Sequence, residues 1–97
     1  MKLKIKDKEY PCRVTLGAMM RFKRQTGKDI GEVTQNDATS VTIFLYCCVV
    51  AACHADGVPF DMELDMFADS IEPGALADFH EMVHAEQPQV DQKKTTV

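Results

Sequence analysis

Between positions 41 and 55 the chain reads VTIFLYCCVVAACHA, fifteen residues without a formal charge, Gly or Pro, bounded by Asn36-Asp37 and Asp56-Gly57. At about 1.5 Å per residue the run covers about 22 Å, short of the roughly 20 residues that cross a bilayer. It is too long for an ordinary strand, so the pattern predicts a helix with Asp37 as N-cap and Gly57 as its stop. Val41, Phe44, Leu45, Cys48, Val49 and Ala52 recur at helical spacing on one face, and Ile43, Tyr46 and Val50 occupy the back. A helix that is apolar nearly all round must be covered by its own domain, by a partner, or by both.

The remaining segments are more modest. Positions 1–15 alternate as a β-hairpin: Leu3 and Ile5 against Lys2, Lys4 and Lys6, then Tyr10, Cys12 and Val14 against Glu9, Pro11 and Arg13. A turn at Asp7-Lys8 pairs Ile5 with Tyr10 and Leu3 with Cys12 and gathers the apolar residues on one face. That register asks Pro11 for a ladder N–H it lacks, so a shifted turn, a bulge or an edge position is expected there.

Thr15 then caps a helix from Leu16 to about Thr26, with Leu16, Met19, Met20 and Lys23 as its stripe, Phe22 beside it, and Gly27 as terminator. Positions 28–34 read as one short turn with Ile30 and Val33 inward. After the 56–59 loop, Asp61 is expected to cap a helix ending near Ser70 or Ile71, with Leu64, Phe67, Ala68 and Ile71 inward. Pro73 opens a last helix to about Glu86, with Leu76, Phe79 and Val83 inward and Met82 on its flank. Positions 87–97 lack apolar periodicity and read as a mobile tail. The expected fold is α+β and mostly α: one domain over 1–86, an N-terminal hairpin on a small bundle of three to four helices with a central apolar helix.

Charge changes the picture more than composition does. Positions 1–28 hold nine basic residues against Asp7 and Glu9, whereas 29–91 hold thirteen acidic residues and no Lys or Arg. A dipolar molecule is expected, with internal complementarity, head-to-tail association or a basic partner on the acidic half as its uses. Nucleic acid is disfavoured, because the basic part lacks interleaved aromatics and the larger half repels phosphate. Positions 1–8 alternate lysines with apolar residues instead of forming an apolar signal region, so a cytoplasmic protein is expected.

Candidate chemistry is sparse. Cys12, Cys47, Cys48 and Cys53 read as core thiols, since adjacent Cys47 and Cys48 point about 100° apart and a bridge within one helix is implausible. His80-Glu81-Met82-Val83-His84 fits H-E-x-x-H, in which two imidazoles one turn apart bind zinc and the Glu serves as base. No third ligand is evident beyond Glu86 and Asp91, Gln87 stands where the extended motif needs Gly, and little chain remains to build a cleft. The string reads as a polar helix flank. Cys53-His54 has Val50 where a haem-attachment motif needs Cys. No phosphate loop or nucleophile elbow occurs, and the expectation is a non-enzymatic protein without cofactor or metal.

The Lys8-Glu9-Tyr10 step, the run Arg13-Val14-Thr15-Leu16-Gly17-Ala18-Met19, then Arg21-Phe22-Lys23 and Thr26-Gly27-Lys28-Asp29-Ile30 follow one another in order. A polar connector, a long apolar helix and an acidic helical part come after them. Over roughly 1–86 this arrangement resembles the tail assembly chaperones of long-tailed bacteriophages; the Cys47-Cys48 pair and the H-E-x-x-H string are no part of that pattern. The resemblance implies a protein that binds the tape-measure protein, keeping its long helices soluble while tail-tube subunits polymerise around it. It also implies oligomerisation and, in many members, a longer frameshifted form, for which the 87–97 tail is a tolerant point of extension. An over-apolar helix and an adaptable methionine surface (Met19, Met20, Met62, Met66, Met82) suit such binding. Phe22, Phe44, Tyr46 and Val50 are the expected partner contacts, as members of faces that a short chain leaves uncovered. The alternative is another small phage or mobile-element structural or adaptor protein, self-assembling through its basic and acidic halves.

Overall fold

The computed structural model describes residues 1–34 and 36–86, with side chains through Val83. The expected tail at 87–97 lies outside the described residues. Strands β1 (Lys2–Ile5) and β2 (Lys8–Pro11) form the hairpin. Helices α1 (Leu16–Thr26), α2 (Ala38–Asp56), α3 (Leu64–Ser70) and α4 (Pro73–Glu86) follow, with a 3₁₀ turn at Ile30–Glu32 between α1 and α2. The α+β, mostly α class is as the pattern predicts.

Helix α2 begins and ends where its sequence says it should. Asp37 accepts hydrogen bonds from the Ser40 backbone N–H (3.1 Å) and hydroxyl (2.7 Å), satisfying one of the exposed donors of the first turn. Gly57, at φ 71°, closes the other end. The Val58 N–H reaches back to the Cys53 carbonyl at 2.9 Å and the Gly57 N–H to that of His54 at 3.5 Å, the two bonds of a Schellman stop. By length and composition α2 could also cross a membrane, but half of its apolar window is buried by its own chain.

That coverage is aromatic. Phe44 stacks edge-on against Phe22 of α1 (centroids 5.6 Å apart) and Phe79 of α4 (5.7 Å). On the other flank Tyr46 meets Phe67 of α3 at 5.2 Å and Phe60 of the preceding loop at 6.0 Å, and Phe60 meets Tyr10 of β2 at 5.1 Å. All five Phe and both Tyr take part, so each layer touches α2 directly or through one ring. Beneath them Leu3, Ile5, Cys12, Leu45, Cys48 and Val49 complete the core.

The hairpin takes the shifted turn that Pro11 called for. Its loop is Lys6-Asp7, both at positive φ (49° and 69°), as a two-residue turn matching the strand twist requires. Leu3 therefore opposes Tyr10 and Lys2 opposes Pro11, in place of the Ile5–Tyr10 and Leu3–Cys12 pairs. Pro11 now sits at a non-hydrogen-bonded position, and the next ladder bond runs from Cys12 N–H to Met1 C=O at 2.9 Å. Each strand's faces survive, because every partner moves by two positions, and Leu3, Ile5 and Cys12 stay buried.

Two helix readings are corrected. In α1 the buried residues are Ala18 and Phe22, while Leu16 and Met20 stand outward. Thr15 caps the helix as expected, accepting the Ala18 N–H at 3.0 Å, but Phe22 has the ring that reaches Phe44 and so sets the helix's rotation. In α3 the first turn starts at Leu64, not after Asp61, with Glu63 at the cap position and making no side-chain cap bond. The Tyr46 hydroxyl donates to the Met62 carbonyl at 2.7 Å, which ties down the segment that Asp61 would have begun. Ala68, expected inward, is exposed.

Phe67→Ala should lower stability by about 3–5 kcal/mol, as expected for a fully buried ring; a urea midpoint shift under 1 kcal/mol (an order-of-magnitude bound) would contradict the aromatic bridge to α3. Replacing Lys6-Asp7 by Asn-Gly should raise stability by about 1 kcal/mol, because those residues tolerate positive φ. An unchanged or lower midpoint would mean the turn is different.

Candidate functional site: a seam along the central helix

The rings leave one flank of α2 thinly covered. Phe44 and Tyr46 lie two residues apart, so α1 and α3 approach α2 from directions about 160° apart around its axis. Between them Ile43, Tyr46, Cys47 and Val50 form a row at i, i+3, i+4 and i+7, the spacing by which one helix lies along another. Ile43, Tyr46 and Val50 are half-buried and Cys47 is buried.

Two open depressions mark this seam. One, of about 260 Å³, is lined by Arg21, Arg24 and Gln25 of α1 with Tyr46, Cys47 and Val50 of α2. The other, of about 280 Å³, lies where Ile43 and Thr42 of α2 meet Leu64, Asp65 and Ala68 of α3. Both are shallow and open to solvent, unlike the enclosed clefts that hold small molecules. The seam has an apolar floor, a cationic rim at one end and a carboxylate at the other. Arg21 is braced within it, donating from Nη1 to the Gly17 carbonyl at 3.2 Å.

Of the four expected contact residues, two are placed here and two are not. Phe22 (0% exposed) and Phe44 (4%) lie inside the aromatic core. The expectation that their faces stay uncovered is corrected: Phe44 of α2 is covered by Phe22 of α1 and Phe79 of α4. Tyr46 and Val50 do line the seam, although the Tyr46 hydroxyl and one edge of its ring are committed to Met62 and Phe67. Ile43 belongs with them, and so do Arg21 and Arg24. The two arginines had a signal in the sequence, lying one residue before and two residues after Phe22, but only once the rotation of α1 was known.

The thiols do not make this a reactive site. All four cysteines are buried. Burial pushes the Cys47 thiol up to about 11, against the opposing pull of Arg21 and Arg24, so it is protonated at neutral pH. Burial also raises Cys53. His80 and Glu81 lie on α4, and the side chain of His84 is outside the described residues; among the described residues no cluster of three metal-ligating side chains occurs.

Ion pairs stitch part of the charge split together. Arg13 holds Asp56 through two bonds, of 2.8 and 3.0 Å, fastening the end of β2 to the end of α2. Lys23–Asp29 and Lys28–Asp37 are looser, each at 3.5 Å. The bond from Arg13 holds the Asp56 carboxyl below its usual range. A depressed folded-state value means that this pair adds stability above the ordinary carboxylate value of about 3.9. The contribution is lost as pH falls through the lower folded one. Asp56→Asn should therefore be less stable than the parent by a constant margin from about pH 6 to 8, closing below about pH 4. A margin that stays constant into acid, in paired urea titrations, would remove the pair as its source.

Compared with protein-family models, with curated proteins and with solved structures, the chain matches none.

Proposed function

We propose that the protein is a non-enzymatic tail assembly chaperone of a phage or prophage, acting in the bacterial cytoplasm. Its client on this reading is the tape-measure protein, whose long amphipathic helices need their apolar faces kept from one another until tail-tube subunits enclose them. The carrying observation is the row Ile43, Tyr46, Cys47 and Val50, an apolar stripe at helix-docking spacing left part-covered between α1 and α3. It is long enough for about two turns of a client helix. The adjoining Arg21 and Arg24 favour clients carrying Glu or Asp beside their apolar positions. The order of motifs in the chain supports the same reading.

The grip this geometry offers is weak and repeatable. A short apolar row with few fixed polar partners selects for amphipathic helices as a class, not for one sequence. That suits a client whose many similar segments must each be covered and later released.

Co-expression with long amphipathic helical segments of a phage tape-measure protein provides the test. The parent chain should hold client segments in the soluble fraction, and Ile43→Ser with Val50→Ser should weaken binding about tenfold or more while the thermal transition stays cooperative. Client binding undiminished in that folded double variant, or no effect of the parent on client solubility, would reject the proposal.

A further inference from the structure

Among the described residues three large hydrophobic side chains stand mostly in solvent: Leu16 (77% exposed), Met20 (59%) and Met66 (53%). They are not scattered. Leu16 and Met20 lie one turn apart on the outer face of α1, and Lys23 and Arg24 extend that face by another turn. Met66 lies on the outer side of α3, in an open groove of about 710 Å³ with Met62, four carboxylates (Asp61, Glu63, Asp65 and Asp69) and one cation, Lys6, around it, so anions outnumber cations there. None of these four carboxylates is in an ion pair among the described residues, and neither is Arg24, while Lys23 has its loose 3.5 Å contact with Asp29. One surface, on α1, therefore presents apolar residues beside cations, and another, at α3, presents apolar residues among mostly anionic ones.

We propose that the Leu16–Met20 face of α1 docks into the Met66 groove of a second copy of this chain, making a head-to-tail assembly. The occupant follows from complementarity of both kinds at once: two apolar side chains meet two methionines, and Lys23 and Arg24 meet the carboxylate ring. A nucleic acid would satisfy only the basic face and would be repelled by the other. The contact is heterologous, because the two surfaces are different patches of one chain. The helices bearing them flank α2 from directions about 160° apart around its axis, so each copy keeps one face free for the next neighbour, and rings or filaments result. This assembly does not depend on the chaperone reading; it leaves the Ile43–Val50 row unused but shares the rim residues Arg24 and Asp65 with it.

Sedimentation velocity over a concentration series tests it, with the purified full chain and two single variants, Met20→Glu and Met66→Lys. Both positions are exposed, so the fold should be retained, as far-UV circular dichroism would verify. The parent should associate at low salt, and the association should weaken about tenfold or more from 0.1 to 1 M salt, as the screening length falls from about 10 to 3 Å. Each variant alone should sediment as a monomer where the parent is assembled. Their equimolar mixture should associate again, because each keeps one intact surface.

A parent chain that stays monomeric at every concentration overturns the inference. So does a Met66→Lys variant that assembles like the parent, which would mean that α1 pairs with some other surface. Variants that remain monomeric when mixed also overturn it. A monomer that still keeps the client soluble would end this inference and leave the chaperone reading standing.

Discussion

Everything in this molecule depends on covering one helix. α2 is apolar on nearly every side, and only nine of its nineteen residues are fully buried. No single element in so short a chain is large enough to enclose it. The hairpin, α1, α3 and α4 each cover a sector instead, and aromatic rings span the gaps because a ring covers more area than an aliphatic side chain and tolerates edge-on contact. The Phe22–Phe44–Phe79 and Tyr10–Phe60–Tyr46–Phe67 chains are thus the means by which small, separately weak elements become one core.

Covering a cylinder from separate directions leaves seams, and the seam between α1 and α3 runs through Ile43, Tyr46 and Val50. The rotation of α1 that brings Phe22 onto Phe44 also turns Leu16 and Met20 outward, beside Lys23 and Arg24. The candidate client surface and the proposed self-association surface are therefore two consequences of one packing solution. Neither needs a reactive group: the Cys47 thiol at the floor of the seam is held neutral by burial.

The charge split has a local use and a larger one. Arg13–Asp56 fastens the hairpin to the end of α2, and Lys28 reaches Asp37 and the Ser40 hydroxyl at its start. Such exposed pairs add little individually. The charges left over are segregated, cations on α1 and mostly carboxylates around Met66 on α3 and the loop before it, and that segregation gives the molecule its polarity.

The sequence by itself determined the elements whose signals are local. Asp37 and Gly57 bound α2, and Thr15 and Gly27 bound α1, because capping bonds form between residues a few positions apart. The hairpin faces were also legible, since alternation survives a shift of pairing by two. Of the candidate site, Tyr46 and Val50 were visible as back-face residues of a helix apolar all round. Only the tertiary structure decided which apolar residues face in: Leu16 and Phe22 are equally hydrophobic in a list, but only Phe22 meets a ring across the interface. It likewise decided the start of α3, where the bond from Tyr46 to Met62 outweighs the capping preference of Asp61, and the turn at Lys6-Asp7, where the missing N–H of Pro11 had to fall outside the ladder. The divide has a plain physical origin: caps and alternation are short-range along the chain, whereas rotation, register and coverage depend on what lies opposite.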